Sequence, residues 1–400
     1  MTPTDMTIRG QAVIGLAALT HDAYAGVDLK PIWDRLVERV GANPYDAGAL
    51  LDISNLLLLT GQRSDGLEAQ AHALGLNRVY ERAGEPGSLR LLTFVKAGDF
   101  MANTPLDFLL KDSKATLIQI YVDGVTPLPA IPDHDVAIVA IGEADDSHAV
   151  LASLDTVLEA WPRPVLNRKV QTIINLSRSA VSDLFVQSDR IIAPKTLRLS
   201  RQTLVEIATS SAPLDSVLAW PLLVRPVGSH AGNNLEKIPG PSALATYLRG
   251  FTHAQAYVAS YVDYAGADGQ FRKYRIGLIG KRPYLSHLAI SDHWMVHYLN
   301  AGMSDSQTKR DEEAEEMAHF DEAFARRHKA ALAELCTQID LDYFAIDCAE
   351  TPDGKLLLFE ADAAMIIHAM DEPDLFPYKR PQMKKLFRAF QVLLERAAKG

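Results

Sequence analysis

The stretch LDYFAIDCAETPDGKLLLFEAD, Leu341 to Asp362, constrains this chain more than any other. It reads as two short strands around a turn. Tyr343 to Cys348 is apolar and aromatic, Leu356 to Phe359 is a dense apolar run, and Asp353-Gly354 lies between them. A type I′ hairpin turn needs positive φ at both central residues, which Asp-Gly supplies. With those two residues as the turn, Pro352 faces Lys355, and counting back along both strands places Asp347 opposite Glu360. Side chains alternate in a strand, so Asp362 shares the face of Glu360. Three carboxylates then converge on one side of an otherwise apolar hairpin. Bare burial of such a group is costly and like charges repel, so a positive charge is expected between them. Oxygen ligands without His or Cys suit Mg²⁺, which takes one or two carboxylates plus substrate phosphates. The plainer alternative is a surface hairpin with acidic ends, but these carboxylates interrupt the apolar strands rather than flank them.

The remaining composition sets bounds. A chain of 400 residues with 48% hydrophobic content can form two or three packed domains. A net charge of −10 and a pI near 5.6 argue against non-specific nucleic-acid binding and favour a soluble protein. Cys336 and Cys348 have neither metal nor disulfide spacing, which fits a reducing compartment. The N-terminus shows no basic region followed by an apolar core. Leu50 to Thr60 is too short to span a bilayer and carries Asp52, Ser54 and Asn55. No membrane association and a cytoplasmic location are expected.

Three regions follow in order. Residues 1–105 read as helical, with Pro31 to Val40, Ala47 to Thr60 and Ser64 to Leu76 as helices. The helix–turn–helix unit after Asn43-Pro44 resembles a tetratricopeptide repeat. One unit cannot bury its own face, so Pro31–Val40 and Asn77–Ala83 are expected to complete a helical array. Such an array binds a peptide or protein, or simply caps the fold. Residues 106–200 alternate strands (Thr116 to Val122, Val136 to Ile141, Pro164 to Asn167) with helices (Ser147 to Ala160, Val170 to Phe185), which implies a small parallel sheet. No GxGxxG follows the first strand.

Residues 201–400 change character. An apolar strand, Leu222-Leu223-Val224, ends in Arg225, and Gly228 and Gly232 bracket a loop of small polar residues including Ser229 and His230. Such a loop can turn backbone N–H groups toward phosphate, although a glycine loop alone is more often a turn. An antiparallel meander, Gln255 to Val262, Phe271 to Leu278 and Tyr284 to Ile290, carries Lys273 and Arg275 on one face. The acidic run Asp311-Glu312-Glu313 in a long helical region, Lys309 to Ile339, reads as solvated surface.

In this order the chain resembles the ATP-grasp superfamily, nearest the branch containing glutathione synthetase and the ribosomal-protein glutamate ligases, over roughly Ala115 to Met370. The implied fold class is α/β (α+β): a helical array, a small parallel α/β domain, then an ATP-grasp fold with antiparallel sheets. The resemblance implies ATP and Mg²⁺, two ions held by Asp347, Glu360 and Asp362, although the usual Glu-x-Asn is Glu-Ala-Asp here. It implies phosphate contacts from Arg225 and Arg178, where the family has lysines, and a lid at Gly228, Ser229, His230 and Gly232. Tyr257 to Val262 matches the strand whose backbone reads adenine, with Tyr261 and Val262 at its end and Asp263 a candidate for the ribose hydroxyls. Arg275 matches an arginine that reaches the transferred phosphate or the substrate carboxylate. Arg225, Arg275 and Lys273 are the candidate catalytic cations, and position alone suggests substrate contact for His287, Ser291, Trp294 and His297.

The implied reaction is ADP-forming ligation of a small-molecule or peptide carboxylate to an amine through an acyl phosphate. The rival readings are a nucleotide-binding scaffold with a peptide-binding helical array, and a small-molecule kinase on the same fold. The acid, the nucleophile and the oligomeric state, a homodimer included, stay open at this point.

Overall fold

The structure is a computed structural model that describes residues 10–229 and 232–400. Six strands form the first sheet: β1 (Gln11–Ala12), β2 (Val79–Arg82), β3 (Arg90–Val95), β4 (Thr116–Tyr121), β5 (Val136–Val139) and β6 (Val165–Leu166), in the order β1-β2-β4-β3-β5-β6. Strands β3 to β6 are parallel, and β2 runs antiparallel to β4. The interior strand β5 is Val-Ala-Ile-Val with every residue at 0% exposure, as a strand covered on both faces requires.

Four helices, α1 (Leu16–Tyr24), α2 (Lys30–Ala42), α3 (Ala47–Leu59) and α4 (Arg63–Leu76), lie between β1 and β2, and α3 and α4 pack on this sheet. The sequence of α3, AGALLDISNLLLL, is apolar nearly all round, and a helix of that kind must be covered on every side. Its Ala47, Leu50 and Leu51 join the core of the sheet, while Ala49, Ile53, Leu56 and Leu57 join a second core with Leu19 of α1 and Leu36 of α2. Asp52 is the polar exception. It is fully buried, accepts the Ile14 and Gly15 N–H groups at 2.8 and 3.2 Å, and burial pushes its carboxyl up to about 6.

The expected helix over Asn77–Ala83 is instead strand β2. Val79 and Tyr80 pair with Ile120 and Gln119, and the buried Tyr80 hydroxyl donates to the Ala73 and Asn77 carbonyls. The segment is too short to nucleate a helix, and its apolar pair suits a pleated, packed surface. Strands β2 and β3 lie before residue 105 and share a sheet with β4 to β6, so that expected boundary falls inside a sheet.

The chain continues through β7 (Ile191–Ile192), β8 (Thr196–Ser200), β9 (Leu222–Pro226), β10 (Glu236–Ile238), β11 (Gln255–Ser260), β12 (Phe271–Ile279), β13 (Arg282–Ser291), β14 (Tyr343–Glu350) and β15 (Leu356–Asp362). They form a four-stranded antiparallel sheet, β10-β9-β11-β8, and a five-stranded sheet, β13-β12-β14-β15-β7. The second is antiparallel apart from the β15–β7 pair. Strands β7 and β8 end at or before residue 200 and join sheets built from later strands.

Asn167 ties the first sheet to the last. Its side chain donates to the Tyr343 carbonyl at 2.8 Å and accepts the Tyr343 N–H at 2.9 Å, while its own N–H bonds Asp342 at 2.8 Å. It does so at φ 50°, a left-handed conformation that asparagine tolerates. A second tie runs from the Thr104 hydroxyl to the Ala363 carbonyl at 2.6 Å.

Two further expectations change. The helix over Val170 to Phe185 is two helices, Val170–Ile174 and Arg178–Leu184, because Ser177 caps the second by accepting the Ala180 N–H. The acidic run at 311–313 is not uniformly solvated. Glu313 is fully buried, accepts the Leu288 N–H at 3.0 Å and the Tyr378 hydroxyl at 2.7 Å, and pairs with Lys379 at 3.2 Å. Among the described residues no helix is long and apolar enough to cross a membrane. The class is mixed α/β, with parallel and antiparallel sheets in one chain.

Candidate functional site

The β14–β15 hairpin sets the site, by a route the sequence conceals. The turn is longer than two residues: the Thr351 N–H bonds the Lys355 carbonyl at 2.9 Å, closing a loop of Pro352, Asp353 and Gly354 with Gly354 at φ 79°. Beside the turn, Glu350 therefore pairs with Leu356 and Cys348 with Leu358. A bulge between Asp347 and Cys348, with Phe359 as the extra residue, then shifts the pairing by one. Beyond it Asp347 faces Glu360 and Ala345 faces Asp362. The expected pairing of the acids thus holds, because two departures from an ideal hairpin cancel.

The bulge does a second thing. It reverses which residues of β15 face the site. Leu357 pairs with Ala349, on the Asp347 face of β14, so Leu357 before the bulge and Glu360 and Asp362 after it share one face. Phe359 leaves the ladder, and its carbonyl accepts the Arg178 guanidinium at 3.2 Å. The same guanidinium meets Glu360 at 2.6 Å.

Across the five-stranded sheet the pairing lines up His287, Arg275, Asp347 and Glu360 on four successive strands. Arg275 donates to both oxygens of Asp347 at 2.8 and 3.0 Å, and Lys273, two residues away on the same face, donates to Asp347 at 2.9 Å. Burial opposes charge on Asp347, but Arg275 and Lys273 outweigh it and hold the carboxyl well below the usual range. Glu360 is likewise held low against burial by Arg178 and Arg225. Asp362 behaves oppositely. Burial, and then Glu360, push it up to about 7, and the Ala364 N–H at 2.8 Å only partly offsets this. Burial and the neighbouring Arg275 keep His287 neutral, with its ring against Tyr298 at 4.5 Å.

Opposite this row stands one from the four-stranded sheet, in which Tyr257 pairs with Arg225 on one side and Arg198 on the other. Burial and then Arg178 lower the Arg225 guanidinium to about 10. It donates to the Ser229 carbonyl and, at 3.2 Å, to the Ser229 hydroxyl. Among the described residues no carboxylate lies within ion-pair distance of Arg225.

Between the two sheets is a cavity of about 380 Å³. One part of its wall is apolar, where Leu223 pairs with Ala259 and Leu357 lies opposite. Two residues along β9 and β11 the wall becomes Arg225 and Tyr257, and Arg178, Lys273, Arg275, Asp347, Glu360 and Asp362 complete it. Of the residues singled out from the sequence, Gly232, Tyr261, Val262, Trp294 and His297 also line it.

Others do not. Gly228 and Ser229 adjoin through Arg225 without lining the cavity, and His230 lies outside the described residues. Asp263 is exposed and accepts the Tyr261 hydroxyl at 3.3 Å. Ser291 is buried and accepts the His293 N–H. His287 stands behind Arg275.

Lys237 was not anticipated. Its ammonium sits 4.0 Å from the Tyr261 ring and 5.5 Å from Trp294, two aromatic rings set edge to face. A Cβ on Gly232 would come within 2.8 Å of the Met295 sulfur, so the segment leading into β10 already touches the Trp294–Met295 loop. Neither contact has a local sequence signal, since each joins segments well separated along the chain.

The donor set decides where a divalent cation fits. Among the described residues no group of three or more His, Cys, Asp or Glu side chains is arranged to hold a metal ion. Glu360 and Asp362 suit one between them: Glu360 meets a single guanidinium, and Asp362 has no cationic partner among the described residues. Asp347 does not fit as it stands, because both its oxygens are engaged.

No family model matches the chain, and no curated protein matches it in sequence. Solved structures do match. The RimK domain protein ATP-grasp from Sphaerobacter thermophilus DSM 20745 aligns at 12% identity and TM-score 0.42, covering 78% of this chain and 100% of that one. The VanG D-Ala:D-Ser ligase from Enterococcus faecalis aligns at 10% identity and TM-score 0.48, covering 77% of this chain and 99% of that one.

Proposed function

We propose that this chain is an ATP-dependent carboxylate–amine ligase that forms ADP and works through an acyl phosphate. The observation that supports this most is the cavity wall, which passes from an apolar part to four cations and three acids within one inter-sheet cleft. The apolar part by Leu223, Ala259 and Val262 takes the adenine, and Arg178 and Arg225 take the phosphates as planar, bidentate donors. Arg225 suits an anion because it is half-buried with no carboxylate at ion-pair distance among the described residues. Mg²⁺ held by Glu360 and Asp362 would neutralise charge on the phosphates.

A substrate carboxylate oxygen attacks the γ-phosphorus, and the bond to the β,γ-bridging oxygen breaks to release ADP. Arg275, fixed by Asp347, orients that carboxylate and offsets charge on the transferred group. The amine nitrogen then attacks the acyl carbon, phosphate departs with its electron pair, and the amine loses a proton. Lys273 and Arg275 favour an anionic acid, such as an amino acid or a peptide carboxylate. The Gly232–Met295 contact keeps water from the acyl phosphate.

The test is ADP release from the full chain with ATP and Mg²⁺ against amino acids, small diacids and peptides, with products identified by mass spectrometry. An amide plus ADP is expected. A phosphorylated product would make it a kinase, and no nucleotide binding at all would overturn the reading.

A further inference from the structure

Resting on that reading, we infer that the cavity works with one divalent ion and one lysine: the Lys273 ammonium occupies the place of a second metal ion, and Asp347 is its counter-ion rather than a metal ligand. The resemblance implies two ions on Asp347, Glu360 and Asp362, and the geometry divides these acids into two groups. Asp347 is 4% exposed, and its two oxygens receive three N–H donors from Lys273 and Arg275 between 2.8 and 3.0 Å. Glu360 and Asp362, beyond the bulge, form the other group.

A dication on Asp347 would have to displace one of those donors and then stand beside it. Repulsion at contact range between a dication and a fixed cation is worth several kcal/mol even at an effective dielectric near 20. Nor can the donors withdraw at little cost. Lys273 is 9% exposed, and its strand is paired on both sides, with β13 and β14. Arg275 is anchored further by donating to the Ile366 carbonyl at 3.1 Å. An ammonium so held puts positive charge against the cavity without a metal, on the face where Arg275 also points.

The test is Mn²⁺ binding to the full chain, counted by electron paramagnetic resonance with a non-hydrolysable ATP analogue present. One bound ion per chain is expected. Asp362→Asn should raise the Mn²⁺ Kd about tenfold or more, as loss of a ligand charge does, and Asp347→Asn should leave it within about threefold. Because Asp347→Asn leaves two buried cations with a weaker partner, the Lys273→Met/Asp347→Asn pair repeats the measurement without the excess charge. Two ions per wild-type chain with the analogue bound would overturn this inference and leave the ligase reading standing. So would equal loss of Mn²⁺ in the Asp347 and Asp362 variants. Failure to bind the analogue at all would overturn both.

Discussion

Asp347 and Glu360 are cross-strand partners that turn to different cations: Asp347 to Lys273 and Arg275, Glu360 to Arg178. Each acid therefore has a separate structural job, and substitutions at the two should fail differently.

Glu360→Ala leaves the half-buried Arg178 without its carboxylate. The expected loss of stability is about 1–3 kcal/mol, together with loss of Mg²⁺-dependent ADP release. Glu360→Gln keeps an acceptor for Arg178 and should recover most of the stability without the activity. Thermal unfolding beside an ADP assay separates the two effects, and full ADP release by Glu360→Ala would refute the assignment.

Arg225→Ala should weaken ATP binding by about 1.5–3 kcal/mol, the usual worth of a hydrogen bond to a charged group. The apo protein should change little in stability, because relief of the repulsion from Arg178 offsets the lost attraction to Glu360. Isothermal titration and a melting curve on the same preparation check both halves, and wild-type affinity would reject the role.

Asp362 carries a pH signature. Its carboxyl rises from 3.8 unfolded to about 7 folded. A raised folded pKa means the unfolded chain releases the proton first. The favourable contribution is complete below about 4 and is lost as pH climbs to 7. Asp362→Asn should therefore stabilise the metal-free protein at pH 8 by on the order of 1–2 kcal/mol, with the gain shrinking as pH falls toward 5. Urea unfolding in the presence of a chelator at pH 5, 6.5 and 8 tests this, and a gain independent of pH would count against it.

Asn167→Ala removes both side-chain hydrogen bonds to Tyr343 and puts alanine at φ 50°. A loss of about 2–4 kcal/mol is expected, part of it strain that Asn167→Gly would relieve. Denaturant midpoints for the two variants resolve the parts, and equal values would show that the backbone conformation costs nothing here.

Strand alternation made the acid pairing legible, and the apolar strand ending in Arg225 flagged one wall of the cavity. The turn was misread because Asp353-Gly354 serves a two-residue loop and a three-residue loop equally well, and nothing in LLLFEAD marks Phe359 as the bulge. The demand for positive charge near the acids was sound, but residue types alone could not say whether a metal or side chains supply it. Lys273 lies seventy-four residues from Asp347, and only the β12–β14 register brings them together. Strand β2 escaped notice because four residues directly after a helix carry too little periodicity to mark a change of structure.

The bulge also says where an insertion or deletion would matter. Removing one residue of the Pro352–Gly354 loop leaves Thr351 and Lys355 to close over a two-residue turn with the ladder unmoved. Adding one between Asp347 and Cys348 would give Phe359 a partner and draw it into the ladder, so that Leu357 and Glu360 fall on opposite faces and only one of them can meet the cleft. The tip of this ribbon can change length at little cost to the chemistry, and its body cannot.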